Sequence, residues 1–409
     1  MPLSSTTRTL SRPQGALAAP PPWLRRICCL STSRADAGIY RPLLAALAAQ
    51  PGWDVSVLAA GTHGDPAFGH DPADLGHAGG CRRILLPSPP VSDSPAAVAS
   101  AAARGLEACA HALAREQPDL VFVLGDRVEM LAAALAVVVH RVALAHLHGG
   151  DTTLGACDEA CRHALTRLSH LHFPALAQHA ATIAGLGEER WRIRAVGALA
   201  LDSVATFTPE PAGELARAIG LDLSQGMVVV AFYPETLAED PPRRQIDAVL
   251  RALEGISGHI LLIGPNADVG HGDIRQALLD FAARRPATSL FTSLPQVRFW
   301  SCLAHARLLV GNTSAGIIEA ASFRLPVVNV GRRQAGRLRP ANVIDAPADS
   351  AAIQSAIARA WDTDFLRGLA GLRNPYGDGR AAERIVEALK ELPPREDLLH
   401  KPAPRPRAD

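Results

Sequence analysis

The densest chemistry in the chain lies between His146 and His172. His146-Leu-His148-Gly-Gly-Asp151-Thr-Thr is followed by Asp158-Glu159, Arg162-His163 and Ser169-His170-Leu171-His172, so five of the fifteen histidines share one stretch with several carboxylates. Asp158 and Arg162 stand four apart, as do Glu159 and His163, and each pair therefore shares one helix face. Carboxylates and imidazoles so placed tune one another's proton affinity, which suits proton transfer. Metal binding is the competing reading, because Cys157 and Cys161 are also four apart. No second Cys pair and no HExxH spacing accompanies them, so no metal is expected. Of His170 and His172, one is expected to be a satisfied core histidine.

Four further loops carry groups suited to a phosphorylated ligand. Ser31-Thr-Ser-Arg34 offers hydroxyls and a guanidinium to a phosphate or sugar oxygen, or simply caps a helix. In Leu124-Gly-Asp126-Arg127, Asp126 sits where a strand becomes a helix, either as a cap or as a carboxylate aimed into a cleft. Gly311-Asn312-Thr313-Ser314-Ala-Gly316 opens a helix with small residues suited to phosphate, and Glu319 is placed to accept from ribose hydroxyls. A capped helix with a stray Glu is the alternative there. Gly331-Arg332-Arg333-Gln-Ala-Gly336-Arg337 sets three arginines between glycines, which suits a pyrophosphate, or else an exposed basic turn. Together these loops describe a diphosphate-sugar cleft.

Short apolar runs alternating with Ala/Leu-rich helical stretches must position those loops. This is the pattern of parallel sheets with crossover helices, an α/β fold of two Rossmann-like doubly wound domains with a cleft between them. Strands are expected at Arg26–Leu30, Asp54–Ala60, Arg83–Leu86, Leu120–Leu124, Val142–His146, Leu171–Phe173 and Ile193–Val196. After a restart they are expected at Met227–Phe232, His259–Ile263, Leu308–Val310 and Pro326–Val330. The chain then divides into a disordered extension (1–25), a first domain (26–205), a linker (206–213), a second, nucleotide-binding domain (214–373), a returning helix (374–393) and a disordered tail (394–409). Ligands bind outside the carboxyl ends of strands in such sheets, which is where these loops fall.

The 409 residues suffice for two domains, and 48% hydrophobic with 20% charged residues excludes wholesale disorder. Forty-one Lys+Arg against forty Asp+Glu gives a net charge of +1, without the basic excess of a nucleic-acid coat. The longest apolar run, Met130 to Val139, is far short of the roughly 20 residues that span a membrane. Seven cysteines, an odd number, fit reduced thiols in a cytoplasm.

In this order the loops resemble the hydrolysing UDP-N-acetylglucosamine 2-epimerases, in the branch that feeds sialic- and legionaminic-type acids. The resemblance rests on Thr32-Ser-Arg-Ala-Asp, Leu124-Gly-Asp-Arg-Val-Glu, His146-Leu-His-Gly-Gly and the run from Asp158 to Phe173. It continues through Gly264-Pro-Asn-Ala-Asp, Gly311-Asn-Thr-Ser-Ala-Gly-Ile-Ile-Glu, Gly331-Arg-Arg-Gln-Ala-Gly-Arg and Asn374-Pro-Tyr-Gly-Asp-Gly. The resemblance implies a GT-B arrangement whose last helix returns to the first domain. It implies removal of the sugar C2 proton and loss of UDP to a glycal, then addition of water to give the free 2-epimer, N-acetylmannosamine or a relative. Asp126 and Asp158 would be the acid/base carboxylates and Arg162 their cationic partner, with His148, Asp151 and His163 beside them. Arg34, Arg333 and Arg337 would face the diphosphate, with Thr313 and Ser314 on phosphate oxygens and Glu319 on the ribose. Tyr233, Asn312 and Gly316 would complete the UDP site. No cofactor is implied, and a homo-oligomer, dimer or tetramer, goes with the family.

This sequence departs from the family pattern at four places. His148 stands where many members have Glu, and Asp151 where the His-bearing subgroup has Glu. Tyr233-Pro-Glu-Thr236 replaces His-Pro-x-Thr, and Thr32 replaces a Gly. A UDP-2,4-diacetamido-2,4,6-trideoxyglucose substrate, a GT-B glycosyltransferase and a nucleotide-sugar-binding protein without turnover remain as alternatives.

Overall fold

The computed structural model describes residues 20–64, 80–87, 93–221 and 223–402, with the Arg34 side chain outside that description. Two parallel six-stranded sheets organise the chain. The first has the order β3-β2-β1-β4-β5-β6, with β1 Arg26–Ser31, β2 Asp54–Ala59, β3 Arg82–Leu85, β4 Leu120–Leu124, β5 Ala143–Leu147 and β6 Leu171–Phe173. The second has the order β12-β11-β10-β7-β8-β9, with β7 Met227–Ala231, β8 His259–Ile263, β9 Thr288–Phe291, β10 Leu308–Gly311, β11 Val327–Val330 and β12 Val343–Ala346. Each sheet turns its order at its first strand, between β1 and β4 and between β7 and β10.

Crossover helices cover both faces. In the first half they are α1 Arg34–Ala48, α2 Pro95–Glu116, α3 Val128–Val139, α4 Asp158–Leu168, α5 Ala177–Gly185 and α6 Ala200–Ala205. In the second they are α7 Ala212–Ile219, α8 Pro242–Leu253, α9 His271–Arg284, α10 Gln296–His305, α11 Ser314–Ile318, α12 Ser350–Ala360 and α13 Thr363–Gly368. The chain then returns through α14 Ala381–Lys390 and α15 Arg395–Leu399. Among the described residues no helix is long and apolar enough to cross a membrane.

Covering both faces requires strands that are apolar on both sides. β4 (Leu-Val-Phe-Val-Leu) and β7 (Met-Val-Val-Val-Ala) are buried at every residue. Alternation then sorts β7 between two cores. Val228 and Val230 join one, while Met227, Val229 and Ala231 join the other. Ala381, Ile385 and Leu389 of α14 pack into the first domain's core, and Asp202 of α6 caps that helix by accepting from the amides of Ala381 (2.8 Å) and Ala382 (2.6 Å). The two doubly wound sheets, each with its own covered faces, and this return are the GT-B-like arrangement.

Several expectations are corrected. Ile193–Val196 is not a strand; Ile193 makes one isolated bridge to His172. β9 and β12 stand where no strand was expected. α7 begins at Ala212, inside the stretch read as linker. The extension over 1–19 lies outside the described residues, but Leu24 is buried in the first core and Trp23 donates to the Pro393 carbonyl at 3.1 Å. In the tail read as disordered, α15 docks on the first domain with Leu398 fully buried, while 403–409 lie outside the described residues.

Candidate active site

The turns in strand order pick out four loops, those after β1, β4, β7 and β10. They converge on one cavity between the domains. It is lined by Ser33 and Arg127 from the first sheet, Tyr233 and Thr313 from the second, and by Glu319 and Arg333.

The loop after β1 is first a cap. Asp36 accepts from the amides of Thr32 (2.9 Å) and Ser33 (3.0 Å) and from the Thr32 hydroxyl (2.8 Å), and Ser33 caps α1 in return. Thr32 is buried by Gly61, whose φ of +60° brings it onto the Thr32 carbonyl; a Cβ there would lie 2.3 Å from that oxygen.

The proton-transfer candidates gather where β4 and α4 meet. Arg162, 1% exposed, contacts Asp126, pairs with Glu159 and donates to the Thr153 hydroxyl (2.9 Å) and the Asp151 carbonyl (2.9 Å). Burial beside Arg337 and Arg333 works against its charge, and two carboxylates in contact hold it as a guanidinium. Arg162 thus turns to Asp126 and Glu159, although its spacing suggested Asp158. Asp158 is partly buried at the start of α4, and burial, with the nearby Asp268 carboxylate, raises its pKa against the pull of Arg333 and Arg127. His163 is partly exposed and lies 3.4 Å from Glu159.

His148 and Asp151 do not form a pair of their own. His148, at φ +61°, accepts from the Leu199 amide at 3.3 Å, and burial lowers its pKa to about 4. Asp151 faces His179 (3.2 Å) and, across the domain boundary, Arg337 (2.9 Å). Burial opposes its charge, yet Arg337 and His179 hold its pKa down at about 2. Arg337 Nη1 is buried without a hydrogen-bond partner among the described residues.

On the second domain, Arg333 lies over the Tyr233 ring at 5.1 Å and 3.8 Å from Asp268, which also pairs with Arg127 at 3.1 Å. Thr313 caps α11, and exposed Ser314 stands beside it on the cavity wall. Burial lifts the Glu319 carboxyl to about 7. Two expected ligand contacts have other work. Gly316 packs its backbone on β11 and β10, where a Cβ would meet Val327 at 3.0 Å. Asn312 is fully buried and clamps Tyr233, accepting from its amide (2.7 Å) and donating to its carbonyl (2.9 Å).

Sequence reasoning missed four residues. Glu159 holds Arg162 and the Thr153 amide (2.7 Å). Glu235 accepts from the Arg332 amide (2.7 Å), and Gly331 at φ +80° lets that loop lie against it. His146 donates to the Gly125 carbonyl (2.7 Å) and receives the Thr166 hydroxyl (3.2 Å), its ring held neutral by burial at about 3. Asp93, just ahead of α2, accepts across the cleft from the amides of Gly270, His271 and Gly272 at the start of α9. Glu159 and His146 stand in the stretch singled out in the sequence and Glu235 in the Tyr233–Thr236 departure, each without a role, and only Asp93 carries no signal. No group of three or more possible metal ligands occurs among the described residues.

Two Rossmann-like sheets around a cleft with arginines, hydroxyls and carboxylates define a GT-B-like α/β protein. Residues 45–390 match the family described as UDP-N-acetylglucosamine 2-epimerase, and the chain belongs to that family. Over 378 residues it is 32% identical to the UDP-N,N'-diacetylbacillosamine 2-epimerase (hydrolyzing) of Legionella pneumophila, covering 92% of this chain and 99% of that one. It is 29% identical to the polysialic acid biosynthesis protein P7 of Escherichia coli over 371 residues, 90% of this chain and 94% of that one. Among solved structures, the Neisseria meningitidis UDP-GlcNAc 2-epimerase bound to UDP-GlcNAc superposes with a TM-score of 0.74 at 15% identity, over 89% of this chain and 99% of that one, which shows the shared fold.

Proposed function

We propose that the protein is a hydrolysing 2-epimerase that takes a UDP-linked 2-acetamido sugar to UDP and the free 2-epimer. The observation that carries this reading is the buried Arg162 shared by Asp126 and Glu159, with Asp158 of raised pKa a helix turn away. A C2–H is a weak acid, so its removal needs a placed carboxylate and neutralisation of the departing diphosphate. One of Asp126 and Asp158 takes the C2 proton as the C1–O bond breaks and its electron pair leaves on the β-phosphate. Arg333, Arg337 and Arg34 receive that charge with Thr313 and Ser314, and Glu319 holds the ribose. Water then adds to the glycal, its hydroxyl to C1 and a proton to C2 on the opposite face. Arg162 holds Asp126 in place, while His148, Asp151 and His163 support the walls. No cofactor is called for.

For the sugar we favour UDP-2,4-diacetamido-2,4,6-trideoxyglucose, the diacetylbacillosamine nucleotide named for the Legionella relative. UDP-N-acetylglucosamine, giving N-acetylmannosamine for sialic-type acids, is the second reading. It is supported by the 28% identical Neisseria meningitidis relative named UDP-N-acetylglucosamine 2-epimerase. The test is proton NMR of the pure protein in D2O with each UDP-sugar. Free 2-epimer with deuterium at C2, plus UDP, is the expected result and identifies the substrate. UDP release that waits for an acceptor sugar would make it a transferase. Binding without release would make it a sensor of nucleotide sugars.

A further inference from the structure

The C-terminal segment makes a set of buried contacts that the reaction as derived does not use. Arg192, 1% exposed, donates to the carbonyls of His400 (2.6 Å), Leu398 (2.7 Å) and His170 (3.2 Å), and its Nε pairs with Glu189 (2.8 Å). Arg395 ties the same segment to the Arg141 carbonyl at 2.6 Å. So anchored, the strap delivers Lys401 to the far end of α4. The Lys401 ammonium donates to the carbonyls of Ser169 (2.6 Å), Arg167 (2.7 Å) and Thr166 (3.2 Å), and pairs with the fully buried Glu188 carboxylate (2.8 Å). Thr166 and Arg167 lie in the last turn of α4 and Ser169 is its cap; the Thr166 carbonyl also accepts from the Ser169 amide, and Lys401 supplies the carbonyls of this helix end with a further donor. A cation there is also favoured by the helix dipole.

α4 is the helix that presents Asp158, Glu159 and Arg162. Its last turn reaches the other carboxylate too. The Thr166 hydroxyl donates to His146 Nδ1, and His146 Nε2–H donates to the Gly125 carbonyl, one residue before Asp126. Lys401 is thus linked through Thr166 and His146 to Gly125, the residue before Asp126, and along α4 itself to Asp158 and Arg162. We propose that Lys401 is a positioning residue: carried in by the C-terminal strap, its ammonium locks the carboxyl end of α4 and so sets the orientation of Asp158 and Arg162 against Asp126. This rests on the reading of α4 as the catalytic helix.

The charge balance gives the lock a pH limit. Facing Lys401 are Glu188 and Arg167, with Arg192, His170 and His172 behind them; His400 and Asp397 belong to the strap itself. Burial and the two arginines pull the Lys401 ammonium down to about 8 against the pull of Glu188. His172 and His170 are held neutral, and Glu188 stays ionised beside His172 and Lys401. Above that pH the lysine becomes neutral and the lock weakens.

The test uses full-length K401M and K401R. Loosening a catalytic helix by a fraction of an ångström costs about ten- to a hundredfold in rate. K401M is expected to lose that much in kcat with the UDP dissociation constant unchanged, and to exchange the amides of 165–170 faster in deuterium exchange. Methylammonium in the buffer is expected to restore part of its rate, and K401R to recover part and carry the alkaline limb of kcat to higher pH. Wild-type kcat and wild-type exchange in K401M would overturn the proposal, as would a loss of UDP affinity equal to the loss of rate. If K401M does not fold, K401R decides by its pH profile, an unmoved alkaline limb counting against the lock. If the wild type turns over neither UDP-sugar, the reaction reading fails by itself, and exchange at 165–170 still decides whether Lys401 holds α4.

Discussion

Single side chains decide where charge can sit in this cleft. Asp158 is drawn toward the neutral form by burial and by Asp268, which makes it a better proton acceptor near neutral pH than a solvated carboxylate. Asp158→Asn is expected to abolish turnover, by about a thousandfold or more, while calorimetry shows UDP binding intact. Retained turnover would remove Asp158 from the chemistry. Glu319 gives a pH prediction with a definite sign. Its carboxyl is lifted to about 7 by burial, and a ribose diol donating to it favours the carboxylate. Binding thus draws the proton off, and UDP affinity should rise as pH climbs from 5 through about 7 and then level. Glu319→Gln should flatten that rise, which isothermal titration across the range would show.

Elements, more than residues, separate what the sequence makes legible from what it hides. Strands such as Leu120–Leu124 and His259–Ile263 are readable because burial on both faces forces an unbroken apolar run. β9 and β12 are short edge strands, each paired on one side only, and Thr288-Ser-Leu-Phe and Val343-Ile-Asp-Ala carry too little apolar pattern to stand out. The strap was hidden for a different reason. Pro393-Pro394 and the Pro/Arg-rich end read as tail, yet Arg192, about 200 residues earlier, supplies the partner for the carbonyls of α15. The site shows the same division. Local spacing paired Asp158 with Arg162 and the family resemblance added Asp126, but the choice of Asp126 as the contact of Arg162, and the reach of Asp93 to α9, are set by tertiary structure. That reach makes a prediction about an element. Asp93 closes the cleft by capping α9 from the opposite domain, with Gly272 so close that a Cβ would lie 2.6 Å from its Oδ2. An N-terminal cap is worth about 1 kcal/mol. Asp93→Ala is therefore expected to raise KM roughly fivefold through easier opening, with kcat at saturation little changed. A larger radius of gyration in solution scattering, reversed by UDP, would accompany it; an unchanged KM and radius would show that the cap does not govern closure.

Across the whole molecule the net charge of +1 conceals ion pairs that join the domains. Arg127 of the first domain meets Asp268 of the second, and Asp151 of the first meets Arg337 of the second. The second pair is nearly buried, with side chains 6% and 9% exposed, so solvent screens it little. Asp151 is held at about 2 in the fold, against about 3.9 in an unfolded chain. A depressed carboxylate contributes stability that is complete above its unfolded value and is lost as pH falls through its folded value. Here that amounts to about 3 kcal/mol at neutral pH, declining between about pH 4 and 2. Arg337, the strongest of the groups that favour the Asp151 carboxylate, lies on the other domain, so part of this stability is cohesion between domains, with His179 of the same domain supplying the rest. Asp151→Asn should therefore lower the unfolding temperature at pH 7, and calorimetry should show the gap from wild type closing as pH falls below about 4. A gap that stays constant with pH would assign the loss to altered packing around the new amide rather than to the charge pair. Saturating UDP should narrow the gap at pH 7, since a diphosphate that engages the buried Nη1 of Arg337 supplies that guanidinium with a second anion to hold the halves together.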